Sequence, residues 1–283
     1  MKKEYKLQLI GAWLAGVILS VLTLVAFLKG MEPDTLYWTR SPLITALHAA
    51  SAAALVLTVA LPFFLPKEKE PLKTGVPNGA ASILFSALLG FLFIGDFVKE
   101  AIAFFSKNGA AQASYAADAY GRAVVVLERI GGILAIFCAA FFLVSALRKT
   151  LSKSSALCLL ETATLVWFAL RLITMFIDTS AHTNLAGRRL SLVAIALCVL
   201  FFISEARHFA PREEEAKQKT GDATRYRAFG LAAIVALLPH AVPTLFLPLF
   251  GSAMPSASVL SGAIELAAAL YITSHLILFL PEK

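Results

Sequence analysis

Eight long apolar runs constrain this chain more than any other feature of its sequence. They lie near 7–28, 42–65, 79–105, 130–147, 155–177, 187–206, 227–247 and 258–280. A helix needs about 20 largely apolar residues to cross roughly 30 Å of hydrocarbon. Because 59% of the 283 residues are hydrophobic and only 15% are charged, little sequence is left for a soluble domain. The sequence therefore predicts an all-α, polytopic transmembrane helical bundle of eight spans, a single integral membrane domain over residues 1–283.

The basic residues predict the orientation of the bundle. With the N-terminus in the cytoplasm, 16 of the 25 Lys and Arg residues face the cytoplasm, 8 face outward and one lies within a span. This asymmetry follows the positive-inside rule and places both termini in the cytoplasm. The basic residues lie in short loops without interleaved aromatic residues, so we predict no nucleic-acid partner. The predicted partner is the lipid bilayer, and the sequence identifies no partner protein.

Several features argue against chemistry that needs a cleaved leader, a metal or a cofactor. The first run is too long for a signal peptide and lacks a small-x-small cleavage site, so it predicts an uncleaved helix. Cys138, Cys158 and Cys198 lie in spans without C-x-x-C spacing, which favours packing. The intramembrane histidines lack ligand spacing, and no catalytic motif is complete. We therefore predict no metal site and no cofactor, and favour a protein that is not an enzyme.

Some segments between and within the spans carry their own predictions. The charged segment 211–225 is predicted to be a solvated cytoplasmic loop. The outer segment 106–128 is rich in alanine, which favours a short helix that lies on the membrane or caps an outer cavity. The seventh span contains Pro239, Pro243 and Pro248, which predict a kinked or interrupted helix beside His240.

Two segments match in one register. Residues 129–146 and 189–206 share an arginine, a cysteine, two phenylalanines and an alanine, 60 positions apart. This match predicts that the third to sixth spans are two copies of one hairpin, within a plan of four repeated helical hairpins. Chance similarity between apolar helices is the alternative.

One stripe of the fifth span is polar although the run is apolar enough for lipid. Thr164, Trp167, Arg171, Thr174 and Asp178 follow one another at helical spacing. An ionisable group in hydrocarbon costs about 2.5–3.5 kcal/mol on insertion scales, so such groups face other helices or a water-filled cavity. We therefore expect this edge, with Arg171 at its centre, to face the interior of the bundle.

The third span carries a matching set of charges at the same predicted depth. Asp96, Lys99 and Glu100 share one face, and Arg188 and Arg189 open the sixth span at that level. The predicted ligand-binding residues are Arg171, Asp178, Asp96, Lys99, Glu100, Arg188, Arg189, Trp167 and His240. The alternative is structural, with Arg171 neutralised by Asp96 or Glu100 and the other charges at the water boundary.

Two further carboxylates are candidates for carrying a proton. Glu265 lies within the eighth span, and Glu161 lies near the cytoplasmic end of the fifth. A carboxylate at such a depth is either protonated or paired with another group.

The segment from R-L-I-T-M-F-I-D to F-F-I-S-E-A-R-H-F resembles uncharacterised polytopic membrane proteins of clostridial Firmicutes. The resemblance covers only part of the chain and implies a bacterial plasma membrane without any particular activity. Separately, F-I-G-D at 93–96 is similar to the G-x-G-D motif of intramembrane aspartyl proteases, with Asp178 as a second acid. Phe93 replaces the first glycine of that motif.

The sequence thus favours a multi-span protein that binds, and on one reading transports, a small polar or anionic solute. The site would be an outward-facing cavity in which Arg171 anchors the solute. A non-transporting sensor or assembly subunit, with structural intramembrane ion pairs, is the alternative. An intramembrane aspartyl protease is a remote third hypothesis.

Overall fold

The computed structural model describes residues 2–30, 42–64, 78–105, 119–150, 154–177, 185–209, 220–251 and 258–278. They form α1 (Lys2–Gly30), α2 (Pro42–Phe64), α3 (Ala80–Phe105), α4 (Ala119–Leu147), α5 (Ser155–Ile177), α6 (Leu185–Phe209), α7 (Thr220–Phe246) and α8 (Val259–Leu278). Each of these eight helices is long and apolar enough to cross a membrane. The predicted all-α bundle of eight spans is confirmed.

Six of the helices form a closed circuit of contacts. Each of α3 to α8 packs against the next, and α8 packs back against α3. Neighbours in the circuit run in opposite directions. For example, Gly90 of α3 lies against Leu143 of α4, while Gly132 of α4 lies against Glu100 of α3.

The remaining pair, α1 and α2, packs on the outside of the circuit against α7. Consequently α7 is enclosed by α1, α2, α6 and α8, and it is the most buried of the spans. We call the end of the bundle that holds Tyr5, Asn78, Arg148 and Arg227 the amino-terminal face, and the other end the opposite face.

Aromatic side chains fill the middle of the circuit. The rings of Phe142, Phe202 and Tyr271, from α4, α6 and α8, form a triangle with centroid distances of 6.2, 5.2 and 6.1 Å. All three side chains are fully buried. Aromatic pairs at such distances add stabilisation beyond the area that they bury.

The triangle bears on the predicted repeat. Phe142 and Phe202 are equivalent positions of the two matching segments, and each follows a second buried phenylalanine, Phe141 or Phe201. The matched cysteines, Cys138 and Cys198, are also both buried. The matched phenylalanines and cysteines are therefore all buried, the repeat itself stays a prediction, and Tyr271 of α8 supplies the third aromatic ring.

Two helices differ from what the sequence predicts. Residues 119–128 continue α4 toward the opposite face instead of belonging to a separate helix on the membrane, and residues 106–118 lie outside the described part of the chain. Helix α7 passes through Pro239 and Pro243 without interruption. The prediction of an interruption is therefore wrong at Pro239 and Pro243, whereas a kink at these residues stays a prediction. The α-helix ends only at Phe246, and a 3₁₀ turn containing Pro248 follows.

One polar cap fixes the hairpin between α3 and α4. The side-chain amide of Asn78 donates hydrogen bonds to the carbonyl oxygens of Ser145 and Arg148, and its backbone N–H donates to Lys149. The last carbonyls of a helix have no partner within the helix. Asn78, just before α3, therefore supplies donors to the last turn of α4 and to the two residues that follow it.

Candidate functional site

Helices α3, α4 and α5 enclose a cleft near the opposite face of the bundle. It is lined by Asp96, Glu100, Leu127, Glu128, Gly131, Gly132, Trp167, Leu170, Arg171 and Thr174. The cleft has a volume of about 30 Å³. One water molecule needs about 10–15 Å³, so the cleft has room for about two or three water-sized groups.

Two adjacent glycines of α4 shape the cleft. A Cβ atom on Gly132 would lie 2.8 Å from the Cβ of Glu100, so glycine is needed there for the close approach of α3 and α4. A Cβ atom on Gly131 would lie 4.0 Å from Nε1 of Trp167, its nearest neighbour, so this position borders open space. A larger side chain at Gly131 would therefore enter the cleft.

Arg171 projects from α5 into this cleft. Among the residues that the structure describes, no carboxylate lies within ion-pairing distance of its guanidinium. Neither Asp96 nor Glu100 closes a direct ion pair with Arg171 in this part of the chain, and Asp96 interacts with it at longer range. A guanidinium carries five N–H donors, so Arg171 presents unused donors to the cleft.

Asp96 faces Arg171 from α3. The residue is only 8% exposed and lines the cleft. Its carboxylate interacts electrostatically with Arg171 and lies near the indole of Trp167. A carboxylate accepts several hydrogen bonds, so its acceptor capacity is available to an occupant of the cleft. Asp96 and Arg171 are thus opposite charges held apart across one cavity.

The other acidic groups of the cleft differ in their surroundings. Glu100 accepts a hydrogen bond from Nζ of Lys99 at 3.0 Å, and Lys99 is half exposed. Glu128 lines the cleft from α4, and sequence reasoning missed it because it placed this residue in the outer loop. Glu128 lies three residues before Gly131, so the two share one face of α4 once the helix extends past residue 130.

Three of the predicted site residues cannot be placed with the cleft. Asp178 lies outside the described residues, as do the side chains of Arg188 and Arg189 at the start of α6. The structure therefore brings together Asp96, Glu100, Trp167 and Arg171 from the predicted set, with Lys99 at the margin.

His240 belongs to a different place. Its Nδ1 contacts a carboxylate oxygen of Glu265 across the interface of α7 and α8, and both side chains are buried. Thr244 lies one turn after His240, and its hydroxyl donates a hydrogen bond to the His240 carbonyl oxygen. The pair agrees with the expectation that a deep carboxylate is protonated or paired, and it can hold one proton between the two side chains.

Glu161 belongs to a third group, near the amino-terminal face. Glu161 and Glu205 are fully buried, and both interact electrostatically with Tyr226 and Tyr271. The hydroxyl of Tyr271 donates to Oε1 of Glu205 at 2.7 Å. Sequence reasoning missed Glu205 because it lies near Arg207 at the end of a span, where charges are ordinarily solvated.

Comparisons of this chain with protein-family models, with curated proteins and with solved structures find no match. The geometry of the bundle is therefore the basis for any proposal about function.

Proposed function

We propose that this multi-span membrane protein binds a small polar solute in the cleft between α3, α4 and α5, and moves it across the bilayer. The observation that carries the proposal is the open environment of Arg171, which lines a cavity and has no ion-pair partner among the described residues. With the N-terminus in the cytoplasm, as the basic residues predict, this cleft opens outward.

The cost of burying charge supports a polar occupant. An arginine in the apolar part of a bilayer is costly unless water, a counter-charge or a ligand compensates it. Helices α3 and α5 bring Asp96 and Arg171 to one cavity without joining them, and both charges remain available to an occupant. A purely structural pair would gain most from direct, hydrogen-bonded contact.

Filling the cleft tests the proposal without removing a charge. The variant Gly131→Leu places a side chain in the cavity, because the nearest atom to a Cβ at this position is 4.0 Å away. We expect the variant to fold and to lose both solute binding and uptake into proteoliposomes. A panel of small polar solutes, read out by thermal unfolding of the full chain in detergent, detects binding.

The matched control is Gly11→Leu. A Cβ atom on Gly11 has no neighbour within 4 Å, so the same substitution adds a side chain on an open face of α1. Solute binding should be unchanged in this variant. If no solute of the panel stabilises the wild type, and if Arg171→Ala lowers the melting temperature without any ligand effect, the sensor or assembly reading replaces the proposal.

Proton coupling is part of the proposal. Glu265, paired with His240, and Glu161, grouped with Glu205 and two tyrosines, are the buried carboxylates that would carry protons. We expect Glu265→Gln to abolish proton movement that accompanies uptake while the cleft still binds solute. Proton movement in Glu265→Gln and Glu161→Gln proteoliposomes equal to that of the wild type would remove both residues from this role.

A further inference from the structure

We infer that the solute of the cleft is a small zwitterion that carries an ammonium and a carboxylate group, as the smallest amino acids do. This inference rests on the proposed function and specifies the chemical class of the solute. The juxtaposition that carries it is Asp96 and Arg171, which face the same cavity from α3 and α5 and are farther apart than an ion pair allows.

Both charges have unused hydrogen-bonding capacity. Asp96 is about nine-tenths buried and lies beside the indole of Trp167. Arg171 has no hydrogen-bond acceptor among the residues described here, although a guanidinium can bind a carboxylate through two parallel hydrogen bonds. A solute that carries both signs satisfies the two side chains at once.

The second step concerns solutes of a single sign. A simple anion would gain Arg171 but would meet the carboxylate of Asp96. A simple cation would gain that carboxylate but would bring a like charge toward Arg171. In a cavity of low polarity, like charges at short range are strongly unfavourable. The lining therefore favours separated opposite charges over either sign alone.

The third step concerns size. The cleft volume of about 30 Å³ is room for about two or three water-sized groups, so a solute of five or six non-hydrogen atoms would fill it and extend into its mouth. The side chains of Leu170 and Trp167 restrict the walls further. The suitable probes are therefore glycine and β-alanine, whose charged groups are separated by one and two carbon atoms.

The deciding experiment uses the wild-type full chain in detergent. Thermal unfolding is measured with glycine, β-alanine, methylammonium or acetate at matched concentration and ionic strength. We expect glycine or β-alanine to raise the melting temperature, and methylammonium and acetate to leave it unchanged. A ligand that binds only the folded state must raise the unfolding temperature.

Two variants then test the roles of the charges. Asp96→Asn should weaken binding of the zwitterion at least tenfold and allow acetate to bind, because Arg171 remains without the opposing carboxylate. Arg171→Gln should weaken it by a similar factor and allow methylammonium to bind. If either variant fails to fold, the wild-type comparison still decides the question.

The outcomes separate this inference from the proposed function. Stabilisation of the wild type by methylammonium alone or by acetate alone would overturn the zwitterion and keep a polar-solute cleft. Stabilisation by glycine that persists in Gly131→Leu would place the zwitterion elsewhere and overturn both. If none of the four probes binds while another small polar solute does, the zwitterion is rejected and the proposed function stands.

Discussion

The hydrogen bond between Tyr271 and Glu205 joins α8 to α6 beside the aromatic triangle, and its removal gives a sharp prediction. The variant Tyr271→Phe deletes one oxygen and keeps the ring that contacts Phe142 and Phe202. Glu205 is fully buried and loses a donor at 2.7 Å. The change therefore isolates a polar contact within an apolar core.

The expected loss in the free energy of unfolding follows from two measured ranges of hydrogen-bond energies. Hydrogen bonds between transmembrane helices contribute about 0.6 kcal/mol on average and about 1.7 kcal/mol at most in one membrane protein. Leaving a buried polar group without its partner costs about 1–3 kcal/mol in soluble proteins. Because Glu205 and Tyr271 have no access to solvent, we expect the free energy of unfolding to fall by about 1–2 kcal/mol.

The assay is reversible unfolding of the full chain in mixed micelles with increasing SDS. The control is Tyr5→Phe, which removes the same oxygen from a tyrosine whose ring contacts the Arg227 guanidinium at 4.2 Å. The ring contact survives this change, and the Tyr5 hydroxyl makes no hydrogen bond to the described residues, so the expected effect is below about 0.5 kcal/mol. Equal effects of the two variants would refute the role assigned to the Tyr271 hydroxyl.

Three further predictions concern packing and pairing, each measured by the same unfolding assay. Phe202→Ala removes one ring of the aromatic triangle and should cost about 3–5 kcal/mol; a cost below about 1 kcal/mol would contradict a packed centre. Thr273→Val removes the hydroxyl that accepts the 2.8 Å hydrogen bond from Trp13 Nε1 and should cost about 0.6 kcal/mol; no loss at all would contradict a role for this hydrogen bond in holding α1 on α8. His240→Leu should destabilise the bundle by about 3–5 kcal/mol because it strands a buried acid at Glu265, and adding Glu265→Leu should recover much of that loss.

Much of the fold could be predicted from sequence because lipid demands it. A backbone in hydrocarbon must satisfy its own hydrogen bonds, so each apolar run of sufficient length becomes a helix. The exceptions are instructive. Helix α4 begins at Ala119, before the apolar run that predicted it. Arg122, Glu128 and Arg129 lower the hydropathy of this first part of the helix, which lies near the end of the bundle. Pro239 and Pro243 leave α7 helical because α7 is enclosed by four neighbouring helices.

The candidate site could be predicted only in part. Helical spacing placed Trp167 and Arg171 on one edge of α5, and Asp96 and Glu100 on one face of α3, and both sets do line one cleft. Spacing within single helices cannot reveal which helices meet. His240 was consequently grouped with the cleft, whereas it contacts Glu265 between α7 and α8.

The partners of the buried acids could not be predicted for the same reason. Glu205 and Tyr271 are 66 positions apart, and only the circuit of six helices brings them together. The pairing depends on the order in which α6, α7 and α8 pack. That order is a property of the three-dimensional bundle, which no single apolar run specifies.

The most direct test of the central claim asks whether the edge of α5 that carries Arg171 faces water. In a variant whose three native cysteines are replaced, Thr174→Cys places a thiol in the cleft, and Ile173→Cys places one on the exposed apolar side of the same helix. A membrane-impermeant thiol reagent should modify the cysteine at position 174 at least about tenfold faster, because the thiolate forms only where water reaches it. Equal rates, or faster reaction at position 173, would contradict a hydrated cleft around Arg171.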